Sequence, residues 1–148
     1  MNEEVIVLIV EDDDGHARLI EKNLRRASVK NEMLRFTDGQ QILDFLFRRG
    51  EGRQREDCAP YLLLLDIRIP KIDGLEVLRQ IKQDEELRKI PVIMLTTTDD
   101  PREVDVCHNL GCSHYIVKPV EYDKFAEVLS RLGLFLKIVQ VPRINGVQ

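Results

Sequence analysis

The chain has 148 residues, of which 22 are Lys or Arg and 26 are Asp or Glu, for a net charge of −4. That is the length of one ordinary domain, able to bury a core without disulfide or metal staples, and its acidic balance argues against a nucleic-acid-binding surface. Hydrophobic residues at 43% and charged residues at 32% exclude general disorder, and no apolar run approaches the roughly 20 residues of a membrane span. The start, MNEEV, is too acidic for a signal peptide. Three scattered cysteines, Cys58, Cys107 and Cys112, fit a reducing, cytoplasmic setting better than a disulfide framework.

Residues 5–10 are six consecutive apolar residues rich in Val and Ile, the pattern of a strand buried on both faces. The run stops at Glu11. Ala17, Ile20, Leu24 and Ala27 then recur at helical spacing, with Asp13 or Asp14 placed to cap the helix. Residues 32–36 predict a weaker second strand. Asp38 followed by Gln41 reads as a capping box that opens a helix over Ile42, Phe45 and Leu46, and Gly50 is placed to end it. Residues 50–60 form a polar loop, and the overlapping sign-alternating stretch 48–57 reads as solvated rather than as an anion-binding patch.

A third strand over 61–65 ends at Asp66, and Leu75, Leu78 and Ile81 mark the next helix. A fourth strand over 92–95 closes at Thr96. Asp100, Pro101 and Glu103 then supply a cap, a proline at the first helical position and a glutamate at the third. That helix stops at Gly111. A fifth strand over 115–117 ends at Lys118, and a last helix is expected over about 121–140. This βα alternation, repeated five times, predicts a parallel five-stranded sheet with helices on both faces, a doubly wound α/β sandwich.

In such sheets ligands bind beyond the carboxyl ends of the strands. The residues there are Glu11, Asp12, Asp66, Thr96 and Lys118. Carboxylates brought together in this way repel by about 4 kcal/mol at about 4 Å and an effective dielectric of about 20. A divalent cation relieves that repulsion, and hard oxygen ligands favour Mg²⁺. Asp66 then becomes a candidate nucleophile for an aspartyl-phosphate, with Lys118 and Thr96 suited to phosphoryl oxygens. Each group alone has a plainer reading: acidic residues charge a helix start and threonine ends a strand. The joint placement carries the signal.

The segments VLIVEDD (7–13), LLLLDIRIPKIDG (62–74), PVIMLTTT (91–98) and YIVKP (115–119) resemble, in order and spacing, the receiver domain of two-component response regulators. The resemblance implies a flavodoxin-like (βα)5 fold with Asp66 as phosphoacceptor. It implies Asp12 as direct ligand of Mg²⁺ (or Mn²⁺ in its place), Glu11 acting mainly through water, and the Arg68 backbone carbonyl as a further ligand. Thr96 resembles the switch hydroxyl, Lys118 the phosphate-binding lysine and Tyr115 the switch aromatic; Pro70 and Gly74 match the turn after the acceptor. Arg68 departs from the uncharged residue often found at its position, which bears on the lifetime of the phosphorylated form and not on the site.

The function so implied is a cytoplasmic regulator, not a dedicated enzyme. It takes a phosphoryl group from a sensor histidine kinase, similar to phytochrome-type systems, and signals to a protein partner through its α4-β5-α5 face. A relay intermediate passing the group to a histidine phosphotransfer protein and a non-phosphorylated pseudo-receiver are the alternatives. A haloacid-dehalogenase-type enzyme would need a second Asp where Arg68 stands. The receiver is expected over 1–141, with 142–148 as a tail. The last helix, with Phe125, Val128, Leu129, Leu132, Phe135, Leu136 and Val139 plus a second stripe of Leu134 and Ile138, is apolar enough to predict a homodimer through this region. Gly133 is placed to bend or end it. Cys107, His108, Cys112 and His114 lack the paired spacing of a zinc site.

Overall fold

The computed structural model describes residues 1–145. Five strands, β1 (Ile6–Val10), β2 (Met33–Phe36), β3 (Tyr61–Leu65), β4 (Val92–Thr96) and β5 (His114–Val117), alternate with five helices. These are α1 (Asp14–Arg26), α2 (Gly39–Phe47), α3 (Gly74–Gln83), α4 (Pro101–Leu110) and α5 (Tyr122–Leu136). All pairings are parallel, in the order β2-β1-β3-β4-β5.

The uninterrupted apolar runs follow from a sheet covered on both sides. Successive side chains point to opposite faces. Ile6, Leu8, Val10, Tyr61, Leu63 and Leu65 therefore pack with α2 and α3, while Val7, Ile9, Leu62 and Leu64 pack with α1 and α5. The predicted caps form on Asp13, Asp38 and Asp100, each carboxylate accepting from a backbone N–H of its first turn. At Asp38 the box is shifted by one residue: the Gln41 side chain accepts from the Thr37 amide. Among the described residues no helix is long and apolar enough to cross a membrane.

Four local expectations are corrected. Helix α2 ends at Phe47, not at Gly50, because Arg48 turns into the left-handed conformation (φ 58°), and the following loop caps the end: the Arg55 amide donates to Phe45 O (3.0 Å) and Arg55 Nε to Leu46 O (2.8 Å). Arg55 is thereby buried, so the 48–57 stretch is not wholly solvated. Helix α5 ends at Leu136 rather than near 140, where Ile138 and Val139 fold back as a tight turn. Gly133 does not end it, since the helix continues to Leu136. A Cβ there would lie 2.5 Å from Ala27 Cβ, so glycine lets α1 and α5 cross closely.

Beyond α5 the chain passes under the amino ends of the strands. Arg143 bridges Pro60, and Ile144 is fully buried in the core on the α2–α3 side. Residues 142–145 thus strap the two faces together. The rest of the expected tail, 146–148, lies outside the described residues.

Candidate phosphoacceptor site

Strand register builds the site. Val10 pairs Leu65 and Thr96 pairs Val117, so the residues that follow these strands emerge side by side. The Asp66 amide donates to Val10 O (3.2 Å) and the Lys118 amide to Thr96 O (2.7 Å). Glu11, Asp12, Asp66, Thr96 and Lys118 therefore line one sheet edge, as their positions in the sequence predict.

Glu11, Asp66, Thr96 and Lys118 are buried, while Asp12 is exposed. Lys118 Nζ donates to Asp66 Oδ2 (2.8 Å) and to Glu11 Oε1. Its third contact is His16 Nδ1 at 3.2 Å. An ammonium has only donors, so His16 accepts there and carries its ring proton on Nε2. The ring is held edge-on to Phe125 with centroids 5.5 Å apart. Burial raises the Glu11 pKa above the ordinary carboxylate value, against the opposing pull of Lys118 and of the Asp13 amide.

Oxygens of Glu11, Asp12 and Asp66 lie within 4.8 Å of one another. Three converging carboxylates, one of them open to solvent, fit the donor set of a divalent-cation site. The Arg68 amide donates to Asp66 Oδ1 (3.3 Å), which sets its peptide beside that carboxylate. Thr96 supplies a second indication. Among the described residues its Oγ1 is the one buried side-chain polar atom without a hydrogen-bond partner. Such an orphan calls for a ligand, and a hydroxyl at this edge suits an anionic oxygen.

Tyr115 stands on β5, half-buried, with its hydroxyl donating to Thr98 O (2.8 Å). Its pKa is pushed up to about 12, chiefly by burial and further by Cys107 and Glu103. Arg68 turns its side chain away from the carboxylates to pair with Glu103 at 3.1 Å. Sequence reasoning missed His16, Glu103 and Arg35, whose Nε donates to Glu11 O (3.0 Å); none sits at a strand end.

After Asp66 the chain doubles back through Pro70 and Gly74. The Gly74 amide donates to Ile67 O (2.8 Å), and a Cβ at Gly74 would lie 2.1 Å from Asp66 O. Glycine is the residue that lets α3 start against the backbone of Asp66.

The chain is similar to several known proteins. A receiver-domain structure from Rhodospirillum rubrum superposes with a TM-score of 0.89 at 45% identity, covering 95% of this chain and 99% of that one. The response regulator Rcp1 of Synechocystis sp. is 33% identical over 138 residues, 93% of this chain and 92% of its own. Its Mn²⁺-bound crystal structure gives a TM-score of 0.81. The phosphorylated cyanobacterial phytochrome response regulator RcpA gives 0.82 at 31% identity, covering 93% and 97%. The family model of the response regulator receiver domain matches residues 7–130, most of the chain, and the chain belongs to that family.

Proposed function

We propose that Asp66 accepts a phosphoryl group from a sensor histidine kinase and that the α4-β5-α5 face changes in response to signal to a protein partner. The orphaned Thr96 hydroxyl carries this reading, because it is buried at the strand edge with no protein partner. In the transfer one Asp66 carboxylate oxygen bonds to phosphorus as the donor's N–P bond breaks, and the imidazole leaves with that electron pair. Mg²⁺, for which Mn²⁺ can substitute, would be held by Glu11, Asp12, Asp66 and the Arg68 carbonyl, and supplies positive charge against the transferring oxygens. Lys118 keeps its hold on the Asp66 side of the site and compensates the added charge of up to about −2. Thr96 donates to one phosphoryl oxygen, and Tyr115 moves into the space it leaves.

The phytochrome response regulator RcpA, phosphorylated in its crystal, and Mn²⁺-bound Rcp1 support a kinase of the phytochrome type and the metal requirement. The chain acts here as a phosphoacceptor in the cytoplasm and not as a dedicated enzyme. Leu134, Phe135 and Ile138 stay exposed on and just beyond α5, which supports self-association through that region.

The test uses beryllofluoride, a phosphoryl mimic, with Mg²⁺. Backbone amide resonances of the wild type are expected to shift from the strand ends through α4, β5 and α5, with no change in Asp66→Asn. Shifts confined to the strand ends, or equal in the variant, contradict the switch.

A further inference from the structure

Arg68 is the one strong cation beside the acceptor whose role the site leaves open. Its amide touches Asp66, yet its guanidinium reaches across to α4, with Nη2 3.1 Å from Glu103 Oε1 and 3.3 Å from Oε2. The two partners differ in setting: the Arg68 side chain is 64% exposed and the Glu103 side chain 19%. Glu103 has a second bond, accepting from Thr98 Oγ1 at 2.6 Å. Thr98 is also the residue whose carbonyl accepts from the Tyr115 hydroxyl. An unbroken chain of polar contacts therefore runs from the residue beside the acceptor, through Glu103 and Thr98, to Tyr115.

We propose that Glu103 is a positioning residue for Arg68: it parks the guanidinium against α4, and a phosphoryl group on Asp66 draws the guanidinium back. The proposal rests on the phosphoacceptor reading and specifies how that site is coupled to the outer face. Three physical points support it. An ion pair whose cation is largely solvated is weak, so the exposed Arg68 guanidinium is held loosely by the half-buried Glu103. A phosphoryl group offers more charge and a two-pronged acceptor geometry that suits guanidinium, so partner exchange is downhill. Helix α4 buries only Cys107 of its ten residues, so loss of one anchoring charge at its first turn moves it at little cost. Once Arg68 leaves, Glu103 keeps only Thr98, and any shift of Thr98 is felt at Tyr115 through the same residue's carbonyl.

A ligand can shift such an equilibrium only by its differential affinity for the two arrangements, so the coupling is read in binding. Beryllofluoride affinity is measured at saturating Mg²⁺ for the wild type, Arg68→Ala, Glu103→Gln and the double variant. Gln keeps an acceptor for Thr98 while removing the charge. Arg68→Ala is expected to weaken binding about fivefold. Glu103→Gln is expected to tighten it about threefold, and to have no effect when Arg68 is already alanine. Removing a negative charge near an anion would by itself tighten binding in both backgrounds. Equal tightening in both therefore overturns the parking role, as does unchanged affinity in Arg68→Ala. Failure of the wild type to bind the probe at all overturns the phosphoacceptor reading, and this proposal with it.

Discussion

Replacing Lys118 with methionine is expected to lower stability by about 3 kcal/mol without metal and to slow phosphorylation on the order of 100-fold. The first effect follows from burial. Lys118 Nζ bonds both Glu11 and Asp66, and all three side chains are buried. Removing one partner of a buried pair leaves uncompensated charge, which costs about 3–5 kcal/mol; the lower end applies because the exposed Asp12 marks the solvent side of the cluster. The second follows from loss of a preorganised cation at the transferring group, typically about 10²–10³ in rate. A further consequence separates this account from simple destabilisation. In the wild type a divalent cation must draw Glu11 away from Lys118; in the variant it meets the carboxylates unopposed. Mg²⁺ should therefore raise the melting temperature of Lys118→Met more than that of the wild type. Equal shifts, measured by thermal denaturation across a Mg²⁺ series, contradict the competition.

Gly74→Ala is expected to destabilise the fold by at least about 3 kcal/mol. The added Cβ would lie 2.1 Å from Asp66 O and 2.7 Å from Ile67 Cα, both backbone atoms that cannot swing aside. Relief requires α3 to move off the segment that carries the acceptor, so the surviving folded protein should also accept phosphate poorly. Gly52→Ala is the matched control, since nothing lies within 4 Å of a Cβ there; its effect should stay within about 0.5 kcal/mol. Urea unfolding reads both. A Gly74→Ala midpoint close to that of the wild type contradicts the close packing of this turn.

The strands and the acceptor edge were legible because both depend on local pattern plus one topological rule. Strands buried on both faces appear as unbroken Val, Ile and Leu runs, and a parallel sheet places every residue after a strand at one edge. The caps at Asp13, Asp38 and Asp100 were legible for the same reason, each bond spanning two or three residues. What stayed hidden is set by distant contacts. Arg48 ends α2 in place of a glycine by adopting a left-handed backbone, and Arg55 reaches back nine residues to cap Leu46 O. Ile144 reads as tail sequence, yet it is buried because the chain returns beneath β3, with its amide on Ala59 O. Gly133 looked like a helix breaker and proved to be a crossing point with Ala27. His16 and Glu103 belong to helices whose exposed faces carry many charged residues, and only the fold reveals that they touch Lys118 and Arg68.

The central claim is covalent phosphorylation of Asp66, and intact-mass analysis tests it most directly. The protein is incubated with acetyl phosphate, with and without Mg²⁺, as wild type and as Asp66→Asn. The account predicts a single phosphoryl adduct on the wild type that requires Mg²⁺ and is absent from the variant. An adduct that persists in Asp66→Asn, or forms equally without metal, contradicts it.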